Sequence, residues 1–389
     1  RQTRVRPRRQ QRLMIGMGCV LLVGIGFLLA KPNRFATSNK TVVPQMERTS
    51  DIGPKGLSGS PTSIREGTDL EERDDASIIA CFASNTDELI DCLEESDRDL
   101  MIELAAGEYE LSSVDVHGHG LVIVADDKTA TRLVLIIDEQ QAGISAFESQ
   151  IRLENLTVEF VHGDDDTLDD GIESCVLIEY GDFSAFDCRF EHSRESDCFH
   201  FLRSDVEMTD CDVLAADSVA FRWQSDSNRS LRLINNVVIS EVQLAIEDSA
   251  TGDIELDGNV FLGDVTLSHL AQDSDQICRI QANDNQFLAS STFFAFHEST
   301  VSLDETQRLV WSGNANQFPL TLLTQLDDDD RLLEKIDGLL DLRQRPWFRD
   351  EESIQSETID GEDLDSIRSQ FEQSEWEVIE FLRRDRSTP

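Results

Sequence analysis

Glu179, His200, Arg222 and Glu247 follow one another at nearly regular intervals, and Asp170, Asp197 and Asp217 lie a few positions ahead of the first three. If segments of that length stack one on another, the four residues share a face and the aspartates sit at the turn entering it. Carboxylates beside an imidazole and a guanidinium are what acid–base attack on a glycosidic or uronate bond requires. Trp223 would add an aromatic surface for a sugar ring. The polar stretches 225–230, 268–277 and 298–308 are long enough to wall such a face into a groove. The same residues also suit a solvated scaffold, on which a Glu–Arg pair carries little energy.

A second grouping lies just upstream. Residues 163–171 read Gly-Asp-Asp-Asp-Thr-Leu-Asp-Asp-Gly, so Asp164, Asp165, Asp166, Asp169 and Asp170 crowd five carboxylates into one short segment. A hard cation takes several oxygen ligands from a flexible segment, so Asp164, Asp165, Asp166 and Asp169 would suit calcium, and a solvated acidic loop with no cofactor is an equal reading. The twelve-residue calcium-loop pattern is not matched, and no C-x-x-C occurs to suggest zinc.

The elements that must position these residues are announced by a recurring four-residue signature. Its forms begin at Asn155, Asp187, Asp210, Asn235, Gly258, Asp284 and Ala315, each with an apolar residue three later. A short period with an Asn, Asp or Gly corner indicates one coil repeated as a solenoid. Second positions Asn236, Asn259, Asn285 and Asn316 would then pile into an amide ladder, each bonding backbone at a turn. Alternating apolar pairs, such as Val176/Ile178, Phe199/Phe201, Val219/Phe221 and Val265/Leu267, mark one further strand set. Pairs such as Phe183/Ala185, Val206/Met208 and Leu231/Leu233 mark another. Three short strands per turn give a triangular coil.

The cysteines follow the same period. Cys188 and Cys211 hold the second positions of successive corners, and Cys175 and Cys198 keep the same separation, so each pair should stack on adjacent coils within disulfide reach. Both pairs are expected to be disulfides, with a stack of small apolar thiols as the alternative. Cys81 and Cys92 form a third possible pair, and Cys278 is left alone.

Residues 85–96 predict a helix capped by Asn85 or Thr86, with Leu89, Ile90 and Leu93 on one side, suited to cover a solenoid's open end. With this helix, the Leu104-Ala-Ala-Gly107-Glu-Tyr109 opening, the Gly120-Leu-Val-Ile first coil and the Asn/Asp corners, the chain resembles the right-handed parallel β-helix of the pectin-lyase-like superfamily. The resemblance implies an all-β fold over residues 79–318. It does not choose an activity, because the superfamily covers lyases, hydrolases, isomerases, epimerases, adhesins and non-catalytic sensors. Polygalacturonases resembling this fold carry a paired-Asp strand, a Gly-His-Gly and an Arg-x-Lys in successive coils. Here Gly118-His119-Gly120 lies in the first coil and Arg-x-Lys is absent. A lysine base would have only Lys128 as a candidate, and an arginine base would be Arg222.

The flanks set location. Residues 13–30 carry no charge and lie between Arg12 and Lys31, a run just long enough to span a bilayer. The basic tail 1–12 should stay cytoplasmic, with 31–78 a flexible linker to an extracytoplasmic domain. A cleaved signal peptide is the competing reading, although Leu28 occupies the −3 place before Ala30. Residues 1–34 hold eight basic residues and no acid. The remainder has 26 basic against 77 acidic residues, a net of −51, which argues against nucleic acid or anionic lipid as partners of the main domain. Residues 319–389 form an acidic segment with helices expected at 319–345 and 362–384 on leucine-rich spacing. The expected whole is a membrane-anchored binding or sensing module for extracellular carbohydrate or cell-wall ligand, similar in architecture to the ectodomain of a receptor-like bacterial kinase. A polysaccharide lyase or glycoside hydrolase is the alternative.

Overall fold

The computed structural model describes residues 78–355 except 95–97, 138–141, 163–173, 193–195, 226–228, 248–251, 271–276, 298–308 and 327–331. The described strands form a parallel β-helix of three faces. One face is an 11-stranded sheet running from Ile79–Ala83 through Asp182–Phe186 and Arg229–Ile234 to Phe348–Glu351; we call it the third face. The other two are separate strands in the early coils, such as Arg189–His192 on the first face and Asp197–Leu202 on the second. Later they fuse in long strands such as Asp212–Gln224 and Gln286–His297, which run through both and join them into one 16-stranded sheet.

The repeated signature marks the corner between the third and first faces. Its first residues, Asn155, Asp187, Asp210, Asn235, Asp284 and Ala315, have φ between 50° and 56°, and Gly258 has 62°. Asn, Asp and Gly tolerate this left-handed conformation best, which is why they recur. Ala315 adopts it without a polar side chain, held by its N–H on Glu351 O (3.0 Å) and by Gln317 N–H on Asn285 O (2.8 Å).

Behind each corner the amide ladder forms as expected, fully buried. Asn236 Nδ2 donates to Met208 O (2.9 Å) and Asn259 Oδ1 (3.1 Å); Asn259 Nδ2 donates to Leu233 O (2.7 Å) and Asn285 Oδ1 (3.0 Å). Asn285 Nδ2 donates to Leu256 O (2.9 Å) and Asn316 Oδ1 (3.0 Å). Asp350, buried in the final coil, ends the series by accepting from Asn316 Nδ2 (3.1 Å) and Trp311 Nε1 (3.0 Å).

Earlier in the same column stand Cys188 and Cys211, and here an expectation is corrected. Cys175, Cys188, Cys198, Cys211 and Cys278 are all buried free thiols, so neither Cys175–Cys198 nor Cys188–Cys211 is bridged. The thiols act as the amides do one coil later. Cys211 Sγ donates to Ala185 O and Thr209 O (both 3.4 Å), and Cys188 Sγ to Phe186 O (3.4 Å). Cys81 and Cys92 do form a disulfide, which ties the first strand to the capping helix.

That helix spans Thr86–Glu94 and buries Leu89 and Cys92. Asn85 caps it, its Oδ1 accepting from Glu88 N–H (3.0 Å), while the Glu88 carboxylate reaches one residue further back and accepts from Ser84 N–H (2.8 Å). At the far end the helix expected over 319–345 is replaced by strands. Leu323–Leu326 adds a parallel rung beside Phe294–His297, and Leu332–Ile336 returns antiparallel to it. An open sheet edge supplies backbone partners that an interrupted leucine run cannot find within one helix; within this stretch only Leu339–Leu342 is described as helical. The β-helix also runs past residue 318, since Phe348–Glu351 and Ile354–Gln355 pair with Leu309–Asn314 and Gln317–Phe318. The run 13–30, the linker and the expected helix 362–384 lie outside the described residues. No described helix is long and apolar enough to cross a membrane.

The interior is filled by rings stacked coil on coil, including Phe199 on Phe221 (5.3 Å) and Phe261 on Phe287 on Phe318 (5.5 Å each). Such stacking holds each coil at strand spacing from the next and makes a rigid base for whatever projects outward.

Candidate functional site

The second face brings most of the expected cluster together, but in two rows. His200 pairs in register with Leu177 on one side and Arg222 on the other. Glu179 pairs with Leu202, which pairs with Gln224, and Glu247 follows Ile246, the partner of Trp223. Glu179 therefore stands one row away from His200 and contributes nothing to its pairing. Asp197 opens its strand opposite Ser174. Asp170 lies outside the described residues, as do the carboxylates of Asp164, Asp165, Asp166 and Asp169. Of Asp217 only the strand that carries it is described. Among the described residues no three His, Cys, Asp or Glu side chains converge as a metal site.

Arg222 is the hub. Its Nε donates to Asp197 Oδ2, its Nη2 to Asp197 Oδ1 (3.2 Å) and its Nη1 to Glu247 Oε1 (3.0 Å). The fork thus spans three coils, gripping the carboxylates of the coils before and after its own. Burial pushes the Asp197 carboxyl above its usual range, and the hydrogen bonds and charge of Arg222, with a smaller pull from His200, work against that rise. The hydrogen bond from Arg222 to Asp197 drives the guanidinium further above its already high value. Arg222 is thereby held as a cation between two carboxylates. Lys128, the other base considered, is engaged by Asp187 and lies 3.8 Å from Asp212.

Trp223 is corrected from surface to core. It is fully buried, between Phe201 and Ile246 in register. Strand alternation demands this, because Trp223 shares the parity of inward Phe221. The apolar pairing also shifts by one alternation at a bulge between Ala215 and Val219, so Phe199 meets Phe221 and Val219 meets Val242.

Two arrangements escape the sequence. Cys175 Sγ lies 3.2 Å from His192 Nδ1, whose Nε2 is 2.9 Å from Ser196 O and 3.1 Å from Ser196 Oγ. A thiol against an imidazole is nucleophile chemistry in outline. Cys175 is completely buried, and burial drives its pKa far up, so it stays a thiol and serves packing. The second arrangement is outside the coil. Gly118, Glu148, Tyr180 and Arg203 turn the chain from second to third face with φ of 72°, 51°, 57° and 53°. Beside this corner the rings of Phe147 and Tyr180 meet edge to face at 5.7 Å, with His117 6.4 Å beyond Phe147 and the Arg203 guanidinium 5.1 Å over Tyr180. No spacing rule singles these out, because an aromatic beside a corner reads as core until the corner's direction is known. A surface cavity lined by Glu334, Lys335, Asp341, Gln344 and Arg345 lies at the opposite end of the solenoid and touches neither arrangement.

No protein-family model matches the chain, and no curated protein does. Among solved structures it is similar to the A-module of the mannuronan C-5 epimerase AlgE4 of Azotobacter vinelandii, at 11% identity and a TM-score of 0.26, over 74% of this chain and 95% of that one. That likeness carries no conclusion about activity; the β-helix itself is established by the strand register.

Proposed function

We propose that this chain is a membrane-anchored, extracytoplasmic β-helix that binds carbohydrate, as a surface or cell-wall glycan, without transforming it. The Arg222 clamp, which ties up its guanidinium between Asp197 and Glu247, supports binding over catalysis. This residue, the candidate base on the polar face, is held protonated by Asp197 and Glu247. What that face offers instead is a rigid set of donors and acceptors of both signs, the equipment for holding hydroxyl groups. The charge-free run 13–30 between Arg12 and Lys31 supports the anchor, and the net charge of −51 beyond residue 34 supports a partner other than nucleic acid.

A glycan array probed with the full chain in detergent tests binding. Glu247→Gln serves as the site variant because it leaves the Asp197–Arg222 pair in place. Retention of one glycan class, weakened several-fold by Glu247→Gln, is expected. Release of an unsaturated uronate or of shortened chains from any retained polysaccharide would overturn the non-catalytic assignment. For the anchor, carbonate-washed membranes should keep the protein and external protease should remove residues beyond Pro32; a soluble mature form beginning near Lys31 would refute it.

A further inference from the structure

We infer that the exposed aromatic strip on the corner between the second and third faces, with Phe147 and Tyr180 at its centre, is the platform on which a neutral or amino-sugar chain docks. This rests on the carbohydrate reading and gives it a place and a ligand class. The large aromatics described in this solenoid are overwhelmingly interior, yet Phe147 keeps 39% of its surface exposed and Tyr180 41%. They belong to successive coils, Tyr180 one position beyond the register partner of Phe147, and their ring centroids stand 5.7 Å apart edge to face, comparable with the advance of one sugar residue in an extended glycan. Tyr180 takes, at φ 57°, the left-handed corner conformation that Gly118, Glu148 and Arg203 take in the neighbouring coils, so the turn that every coil makes here sets its ring at the rim.

The surroundings complete a sugar-binding surface. The Tyr180 hydroxyl accepts from the Arg203 guanidinium, which leaves its own hydrogen to donate outward. On the third-face side Gln150 Nε2 donates to Asp182 Oδ2 (3.0 Å), and on the second-face side Glu179 borders the rings in register with Phe147. Arg229 is taken up by Asp205 (2.6 Å), with Asp182 at 3.8 Å. Glu148, Glu179, Asp182 and Asp205 outnumber the two cations Arg203 and Arg229 around the strip and leave it net negative, in a chain of net charge −43. A polyuronate would be repelled, whereas hydroxyls or ammonium groups would be accepted.

Calorimetric titration of the full chain with cellohexaose, a chitosan hexamer and a hexagalacturonate decides the matter. Phe147→Ala, Tyr180→Ala, Tyr180→Phe and Glu247→Gln are compared with the wild type, and unchanged circular dichroism and melting confirm that each folds. One of the first two hexamers should bind, weakened about tenfold by either alanine and little by Tyr180→Phe, because the ring supplies the contact. Binding lost in Glu247→Gln but kept in both alanine variants would overturn this inference and leave the carbohydrate function standing. Preference for hexagalacturonate would overturn the ligand class. Binding of no hexamer, together with an empty glycan array, would overturn both.

Discussion

Replacing Asn285 by Ala cuts the amide ladder at its middle, and the cost can be worked from its partners. Asn285 is 1% exposed. Its Oδ1 accepts from Asn259 N–H (2.9 Å) and Asn259 Nδ2 (3.0 Å), and its Nδ2 donates to Leu256 O (2.9 Å) and Asn316 Oδ1 (3.0 Å). After truncation, Asn259 Nδ2 still reaches Leu233 O (2.7 Å) and Asn316 Oδ1 still accepts the Asn285 N–H (3.0 Å). The buried backbone N–H of Asn259 loses its acceptor and Leu256 O loses a donor. Stranding buried polar groups costs about 1–3 kcal/mol each, so a total of roughly 2–6 kcal/mol is expected. Asn285→Leu fills the volume and should cost about as much, since the loss is polar. Urea unfolding followed by circular dichroism measures it, with exposed Gln281→Ala as a control that should stay within about 0.5 kcal/mol of wild type. If Asn285→Ala falls within that same margin, the ladder does not bear on stability and the reasoning fails.

Arg222→Ala leaves the Asp197 side chain, only 9% exposed, without its cation, and should destabilise the fold by about 2 kcal/mol at neutral pH. An unpaired buried carboxylate has a raised folded pKa, so stability is fullest in acid and is lost as pH rises through that value; the deficit should shrink towards about pH 4, and a pH-independent deficit would refute the assignment. Burial raises the pKa of Cys175, Cys198 and Cys211 and pushes Cys278 up to about 12, so these thiols should ignore a thiol reagent until the chain unfolds; linked Cys175–Cys198 peptides in a non-reducing digest would contradict the free pair. Cys92→Ser opens a short loop, whose closure is worth about 3 kcal/mol on loop entropy. Faster amide exchange should be confined to Thr86–Glu94 and the adjoining strand, and exchange spreading through the later coils would show that the cap controls the whole solenoid.

Much of the architecture is legible in the residues alone, because a solenoid repeats a local rule. The corner needs a left-handed residue, so Asn, Asp or Gly returns in nearly every coil. An amide behind it finds the same backbone carbonyl each time, so Asn236, Asn259, Asn285 and Asn316 announce a ladder. Asn85 writes the helix cap into the segment before Thr86, and Cys81 and Cys92 lie close enough in sequence to pair. What tertiary structure alone decided is which long-range neighbour each side chain meets. A bulge between Ala215 and Val219 reset the register of the strand beyond it. The thiols that stand one coil apart found carbonyls in preference to each other, and the leucines after Leu320 found an open sheet edge in preference to a helix. The Asp197–Arg222–Glu247 clamp and the Phe147–Tyr180 strip likewise join side chains a full coil apart in sequence. Periodicity states that coils stack; the register and corner direction that make neighbours are set only when the stacked coils pack together.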